Sequence, residues 1–297
     1  MAPSSALPLE RLNALDRAAF VAHLANVYEH APWAAAAAAA QRPFATVTGL
    51  LAALSSAVEA AGDAQRRALV TGHPDLAGRL ARAGALTADS TAEQQSAGLD
   101  RLSAADFAAF HSLNDAYRAR FGHPFIICVR RHTKASILAQ FRRRLDNDAA
   151  TELATALAEV DRIAALRLAG LVTGAGPLRL DGRLSTHVLD TQRGAPAAGV
   201  AVQLWECDGP DRRLVASAVT NADGRTDAPL IAGRPIPIGQ YELAFEVGAY
   251  FAATGTALAD PPFLGTVPVR FAVADAEGSY HVPLLITPWS YSTYRGS

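Results

Sequence analysis

Histidine, carboxylate, hydroxyl and guanidinium side chains gather in two sets along this chain, and these are the types that proton transfer and anion binding on a small polar substrate require. The first set comprises His73 and Pro74, Ser90 with Glu93 and Gln94, Asn114, the apolar run Phe125, Ile126, Ile127, Cys128 and Val129, and Arg167. An imidazole near its ordinary pKa takes or gives a proton at neutral pH, and a guanidinium grips a carboxylate through two parallel hydrogen bonds. Each residue also has a structural reading. His73 before a proline can open a loop, Ser90 and Glu93 have the spacing of a helix capping box, and Asn114 can serve a neighbouring carbonyl. Arg167 follows Ile163 by four residues and Val160 by seven, so it shares or borders an apolar helix face where a guanidinium needs a partner. That partner is either the final carbonyls of its helix or a substrate carboxylate.

The second set holds His187 in His187-Val-Leu-Asp-Thr191, Arg225 after Asp223-Gly224, His281 in Tyr280-His-Val-Pro-Leu-Leu285, and the tail Tyr291-Ser-Thr-Tyr-Arg-Gly-Ser297. Two histidines with an arginine can move a proton from water and hold an electron-rich carbonyl. No third His or Cys stands at metal-ligand spacing, so no metal is expected. Either histidine can also be a satisfied core residue. A polar tail after Pro288-Trp289 has little reason to be ordered unless it packs into something.

The elements that must position these sets differ in period. Residues 8–171 read as helices: Ser103-Ala-Ala-Asp106 has a capping-box look, and Phe107, Phe110, Leu113, Tyr117 and Phe121 follow at helical spacing. Leu153, Leu157, Val160, Ile163 and Leu171 repeat the pattern, while Phe125–Val129 is either a short extended piece or the start of the next helix. After Thr173-Gly-Ala-Gly-Pro177 the period becomes two, in Val200–Leu204, Leu214–Val219, Tyr241–Val247 and Val267–Val273, with Gly194-Ala-Pro196 and Asn221-Ala-Asp-Gly224 as turn formers. The expected fold is therefore multidomain, an all-α unit followed by an all-β sandwich. The boundaries read as 1–171 for the helical domain, 172–182 for a linker and 183–297 for the sandwich.

At 297 residues, with 27 basic against 28 acidic side chains and a net charge of -1, the chain offers nothing to a polyanion, so nucleic acid is not an expected partner. The densest basic run, Arg142–Arg144, reads as a solvent-facing helix surface, and Cys128 and Cys207 as free core thiols. No run reaches the roughly 20 apolar residues of a membrane span, and the start lacks the order of a signal peptide, so a cytoplasmic home without membrane partners is the expectation.

Five fragments in order, His73-Pro-Asp-Leu-Ala-Gly-Arg79, Ser90-Thr-Ala-Glu-Gln-Gln-Ser-Ala-Gly-Leu99, Leu113-Asn-Asp-Ala-Tyr117, Phe121-Gly-His-Pro-Phe-Ile-Ile-Cys-Val129 and Glu159-Val with Leu166-Arg-Leu168, resemble the 2-oxo-4-hydroxy-4-carboxy-5-ureidoimidazoline (OHCU) decarboxylase family across about residues 7–171. The resemblance implies an all-helical, cofactor-free enzyme that makes S-allantoin. It makes His73 the catalytic histidine, and it makes Pro74, Ser90, Glu93, Gln94, Phe125–Val129 and Arg167 the substrate contacts. His123 departs from the aromatic residue usual at its place. On this basis His73 and Glu93 are expected to handle the proton. Ser90 and the backbone N–H groups of Ile126–Cys128 are expected to receive developing charge, and Arg167 to anchor an anion or organise Glu93.

From about residue 183 to 297 the chain resembles the transthyretin-like 5-hydroxyisourate hydrolases, above all in its terminal Tyr294-Arg-Gly-Ser297. The resemblance implies metal-free hydrolysis by His187, Arg225, His281 and Ser297, with substrate contacts from Tyr294 and Arg295. It also implies a homo-oligomer, with the sandwich forming dimers of dimers. Ser279 departs from a histidine common before the Tyr-His pair. Together the two resemblances imply successive steps of urate breakdown on one chain, with 5-hydroxyisourate and OHCU as its small-molecule partners. The competing readings are a single-activity decarboxylase carrying a scaffold β-domain and a transthyretin-like ligand-binding protein.

Overall fold

The computed structural model describes residues 6–77, 88–96, 98–99 and 102–296. Cα packing divides the chain into two compact units, one of 1–130 with 137–179 and one of 131–136 with 180–297.

The first unit is helical. In chain order it runs through strand β1 (Leu7–Pro8), helices α1 (Leu9–Ala14), α2 (Arg17–Leu24), α3 (Pro32–Ala38), α4 (Val47–Glu59), α5 (Asp63–Thr71), α6 (Ala88–Ser96), α7 (Ala104–Phe121), α8 (Lys134–Arg144) and α9 (Ala149–Leu171), and strand β2 (Val172–Thr173). Caps fix several starts. Ser103 accepts the Asp106 N–H at 3.1 Å at the head of α7, and Asp148 accepts those of Ala150 and Thr151 at 2.9 Å at the head of α9. The apolar residues form two clusters. One packs Phe20, Leu24, Leu50, Leu54, Val160 and Ala164 together, and the other packs Phe110, Tyr117, Ile137 and Phe141.

Residues 125–129 are extended, with no helix until a single 3-10 turn at Val129–Arg131. Their side chains alternate between the two clusters. Ile126 and Cys128 enter the first, while Phe125, Ile127 and Val129 enter the second. The segment is thus a wall with a core on each side. It is held by Arg144, whose Nη1 donates to the Ile126 carbonyl at 2.8 Å and whose guanidinium lies 4.4 Å over the Phe125 ring. This corrects the expectation that Arg142–Arg144 faces solvent throughout. Arg142 and Arg143 are exposed, but Arg144 is buried and paired with the fully buried Glu152, to which its Nε donates at 2.9 Å. The Tyr117 hydroxyl donates to the same carboxylate. Burial without that pairing would be prohibitive, which is why a basic residue is tolerated there.

The second unit is a sandwich of two sheets. One has the order β11 (Tyr291–Thr293), β10 (Ser279–Ile286), β3 (Gly182–Asp190), β4 (Ala195–Pro196), with β7 (Ile231–Arg234) also on β3. The other has the order β6 (Asp211–Val219), β5 (Ala201–Asp208), β8 (Gly239–Glu246), β9 (Thr266–Val273). The inner faces close on Leu184, Val188, Leu284 and Ile286 from the first sheet and on Val202, Leu204, Leu243, Phe245 and Val269 from the second. Two local readings change. Ala195–Pro196, expected in a turn, pairs antiparallel with β3, and a short helix α10 (Val247–Ala253) interrupts the strands where Tyr241–Val247 was read as extended to its end. Tyr250 of that helix donates its hydroxyl to the buried Asp190 at 3.0 Å, tying it to the end of β3. Among the described residues no helix is long and apolar enough to cross a membrane, and no group of three or more His, Cys, Asp or Glu could hold a metal ion.

Candidate active sites

A cleft in the helical unit, enclosing about 370 Å³ of atom-free space partly open to solvent, is lined by His73, Pro74, Leu76, Ser90, Glu93, Gln94, Phe125, Ile126, Ile127, Val129, Ile163 and Arg167. His73 follows the Gly72 cap of α5, and its loop is pinned from two sides. Gln94 on α6 accepts the Ala77 N–H at 3.0 Å through its carbonyl oxygen, which leaves its amide nitrogen to donate elsewhere. Asn114 on α7 donates to the Leu76 carbonyl at 2.8 Å, and its own oxygen is buried without a partner among the described residues. Arg167, near the end of α9, grips Glu93 with two bonds, Nε to Oε1 at 2.9 Å and Nη2 to Oε2 at 3.0 Å. The same Nη2 reaches Glu29 at 3.1 Å, and Nη1 donates to the Asn26 carbonyl at 3.2 Å.

Burial governs His73. It pushes the imidazole pKa down to about 4, opposed by the charge of Glu29 and assisted by Arg167 and His30. The ring is therefore neutral at neutral pH, and its Nε2 is buried with no hydrogen-bond partner among the described residues. The carboxylate whose charge acts on His73 is Glu29, whereas the expected proton-handling partner, Glu93, is clamped by Arg167. Ser90 lies inside α6 and its hydroxyl donates to Glu29 at 3.0 Å, so the capping-box reading of Ser90 and Glu93 is corrected. Cys128, expected among the substrate contacts, does not line the cleft. Its side chain is buried in the core, and its N–H, expected to receive developing charge, donates to Glu159 at 2.8 Å.

In the sandwich, β3 and β10 run parallel with His281 opposite Ser185 and Pro283 opposite His187. Alternation puts Arg183, Ser185, His187 and His281 on the face away from the core. Arg225 joins them through a bridge to His187. The turn before it requires Gly224, with φ +70°, because a Cβ there would stand 2.3 Å from the Val188 carbonyl. His281 Nδ1 meets the Ser185 hydroxyl at 3.0 Å, and His187 Nε2 is buried without a partner among the described residues. Desolvation first and the charge of Arg225 second lower the pKa of both histidines, which favours the neutral ring. The tail folds back. β11 pairs antiparallel with β10, and the Gly296 N–H donates to the His281 carbonyl at 2.9 Å. Within the single chain Tyr294 is exposed, and Arg295 lies 5.2 Å over the Tyr280 ring rather than among the charges acting on His281. Ser297 lies outside the described residues.

The sequence pattern of the OHCU decarboxylase family matches residues 13–169, and that of the HIUase/transthyretin family matches residues 184–296. This chain belongs to both families. Its decarboxylase unit is 43% identical over 163 residues to a 2-oxo-4-hydroxy-4-carboxy-5-ureidoimidazoline decarboxylase of Haloferax volcanii, an alignment covering 55% of this chain and 95% of that protein. Its transthyretin-like unit is 61% identical over 114 residues to a 5-hydroxyisourate hydrolase of Deinococcus radiodurans, covering 38% of this chain and 95% of that protein. End to end, the chain is similar to a crystal structure of (S)-allantoin synthase, at 35% identity and a TM-score of 0.52, covering 98% of this chain and 100% of the other. The chain is thus a fusion of an OHCU decarboxylase domain and a transthyretin-like hydroxyisourate hydrolase domain, an enzyme of urate degradation.

The decarboxylase cleft brings together His73, Pro74, Ser90, Glu93, Gln94, Phe125, Ile126, Ile127, Val129 and Arg167 of the residues expected from sequence. Behind it stands Glu29, bonded to Ser90 and Arg167, which sequence reasoning missed. That residue stands in the turn after α2, where no periodicity marks it, and the only signal was a carboxylate between Tyr28 and His30 beside an apolar stretch. In the hydrolase domain the missed residue is Ser185, which period-two spacing from His187 could have put on the same face.

Proposed function

We propose that the hydrolase domain opens 5-hydroxyisourate to OHCU and that the decarboxylase domain converts OHCU to (S)-allantoin. The observation that carries this reading is that one chain, similar along its whole length to an (S)-allantoin synthase, holds a buried His73 in a cleft with Arg167 and, on its sandwich, His187 and His281 beside Arg225.

In the hydrolase step a neutral histidine takes a proton from water as the water oxygen bonds to the ring carbonyl carbon. Arg225 stabilises the resulting oxyanion, and the second histidine, held by Ser185, relays the proton to the departing nitrogen. In the decarboxylase step the bond between C4 and the carboxylate breaks, and its electron pair moves into the adjacent imine system. Carbon dioxide leaves and the imine nitrogen takes a proton from solvent; the C4 hydroxyl then loses its proton to become the product carbonyl, and the neighbouring carbon gains a proton on one face. His73, neutral and with Nε2 unspent, is the group to exchange that proton. Glu93, immobilised by Arg167, and the Gln94 amide hold the ring. Phe125, Ile126 and Ile127 give the ring an apolar wall. The sandwich presents the hydrolase face in a homo-oligomer, a dimer of dimers, and the enzyme works in the cytoplasm.

The test is a time course on freshly generated 5-hydroxyisourate, followed by ultraviolet absorbance and circular dichroism. Wild type should consume it faster than buffer and yield optically active allantoin. His281→Ala should lose only the first acceleration and His73→Ala only the second. Spontaneous rates and racemic product with wild type would overturn the reading in favour of a ligand-binding protein.

A further inference from the structure

Behind the decarboxylase cleft lies Glu29, a buried carboxylate that does not itself line the cleft yet touches two residues that do. Its two oxygens lie 3.0 and 3.3 Å from the Ser90 hydroxyl, whose one hydrogen they share, and it accepts from Arg167 Nη2 at 3.1 Å. We propose that Glu29 is a positioning residue of this site, which fixes Ser90 as a hydrogen-bond acceptor toward the substrate and holds Arg167 against Glu93. This rests on the decarboxylase reading given above.

The argument is one of hydrogen counting. A serine hydroxyl has a single hydrogen, and an ionised carboxylate can only accept. With that hydrogen directed at Glu29, Ser90 can face the cleft only as an acceptor. It therefore cannot donate to an enolate oxygen as expected from sequence, and it accepts from a ring N–H or a hydroxyl of the bound ureide instead. Arg167 is largely committed too, since four of its five N–H groups, on Nε, Nη1 and Nη2, have protein acceptors. The charged and titratable groups facing Glu29 come from four elements: Arg167 on α9, Glu93 on α6, His73 after α5, and its neighbour His30 at 4.0 Å. Among these the Glu29 charge is what holds the His73 pKa up against burial, which ties the same carboxylate to the proton-exchanging ring.

The experiment compares wild type, Glu29→Gln, Glu29→Asp, Ser90→Ala and the double variant Glu29→Gln with Ser90→Ala, in decarboxylation of enzymatically generated OHCU, with far-ultraviolet circular dichroism and melting as folding controls. A glutamine fills the same volume but can donate to Ser90 and reverse its polarity. Glu29→Gln should fold and lose about 10- to 100-fold in kcat, the range of misplaced catalytic groups. Glu29→Asp, which keeps the charge, should retain more activity. The losses of Glu29→Gln and Ser90→Ala should not multiply in the double variant, because one acts through the other. A Glu29→Gln enzyme with wild-type kcat and KM, a Glu29→Asp enzyme no better than Glu29→Gln, or fully multiplicative losses would each overturn the inference while leaving the decarboxylase reading intact. A wild type that fails to decarboxylate OHCU would overturn both.

Discussion

A histidine buried at 7% exposure beside an arginine has to give up its charge, and His73 does so. Its folded pKa, about 4, lies below the ordinary value of 6.5 that an unfolded chain would show. Between these values the unfolded chain binds more protons than the folded one, so stability contributed by the neutral ring is present above pH 6.5 and is lost as the pH falls toward 4. Urea unfolding across that window should therefore show stability of the helical unit falling with acidification, and His73→Asn should flatten the slope; identical slopes would contradict the burial argument. At this scale much of the cleft lining was legible, because His73, Ser90, Glu93 and Arg167 sit in fragments whose order is distinctive. Glu29 was not, since nothing in a turn's spacing says that its side chain is buried. Nor was the direction of the Ser90 hydrogen bond, which depends on a partner 61 residues away.

Elements were legible where one period ruled. Helix α7 and strands β5 and β9 follow from their apolar spacing, and the change from helical to alternating pattern after Thr173 separated the two fold classes. Phe125–Val129 was ambiguous because a five-residue apolar run fits either state. What decides it is tertiary: two cores flank the segment, and the Arg144–Glu152 pair holds its backbone. Arg144 was misread for the same reason, as a run of three arginines reveals nothing of which one turns inward. Arg144→Met should lower the stability of the helical unit by about 3–5 kcal/mol in urea, because it strands the Glu152 charge in the core. The paired change Arg144→Met with Glu152→Leu should recover much of that loss. A single variant as stable as wild type would show that the pair does not hold the wall.

For the whole molecule, two units with separate cores imply lesions that stay where they are made. Gly296 offers the sharpest case. A Cβ there would come within 2.6 Å of His281 Cδ2, so Gly296→Ala must displace either the ring or the returning tail. Its hydroxyisourate hydrolysis should fall at least about tenfold, the scale of a general base moved out of position, while OHCU decarboxylation stays at the wild-type rate. Assaying both reactions on one preparation decides the point. An equal loss of both would mean that the substitution unfolds the chain, and no loss of hydrolysis would mean that the His281 ring has room to spare.

The wall at residues 125–129 also bears on how such a sequence can diverge. Its odd-numbered side chains answer to one set of neighbours and its even-numbered ones to another. A lineage can exchange volume between Ile126 and the helices behind it without consulting Phe125 or Ile127, and the reverse. Each exchange nevertheless shifts the same short stretch of backbone, so two independently drifting interiors tune a single cleft wall, and variants far from the cleft can reshape it.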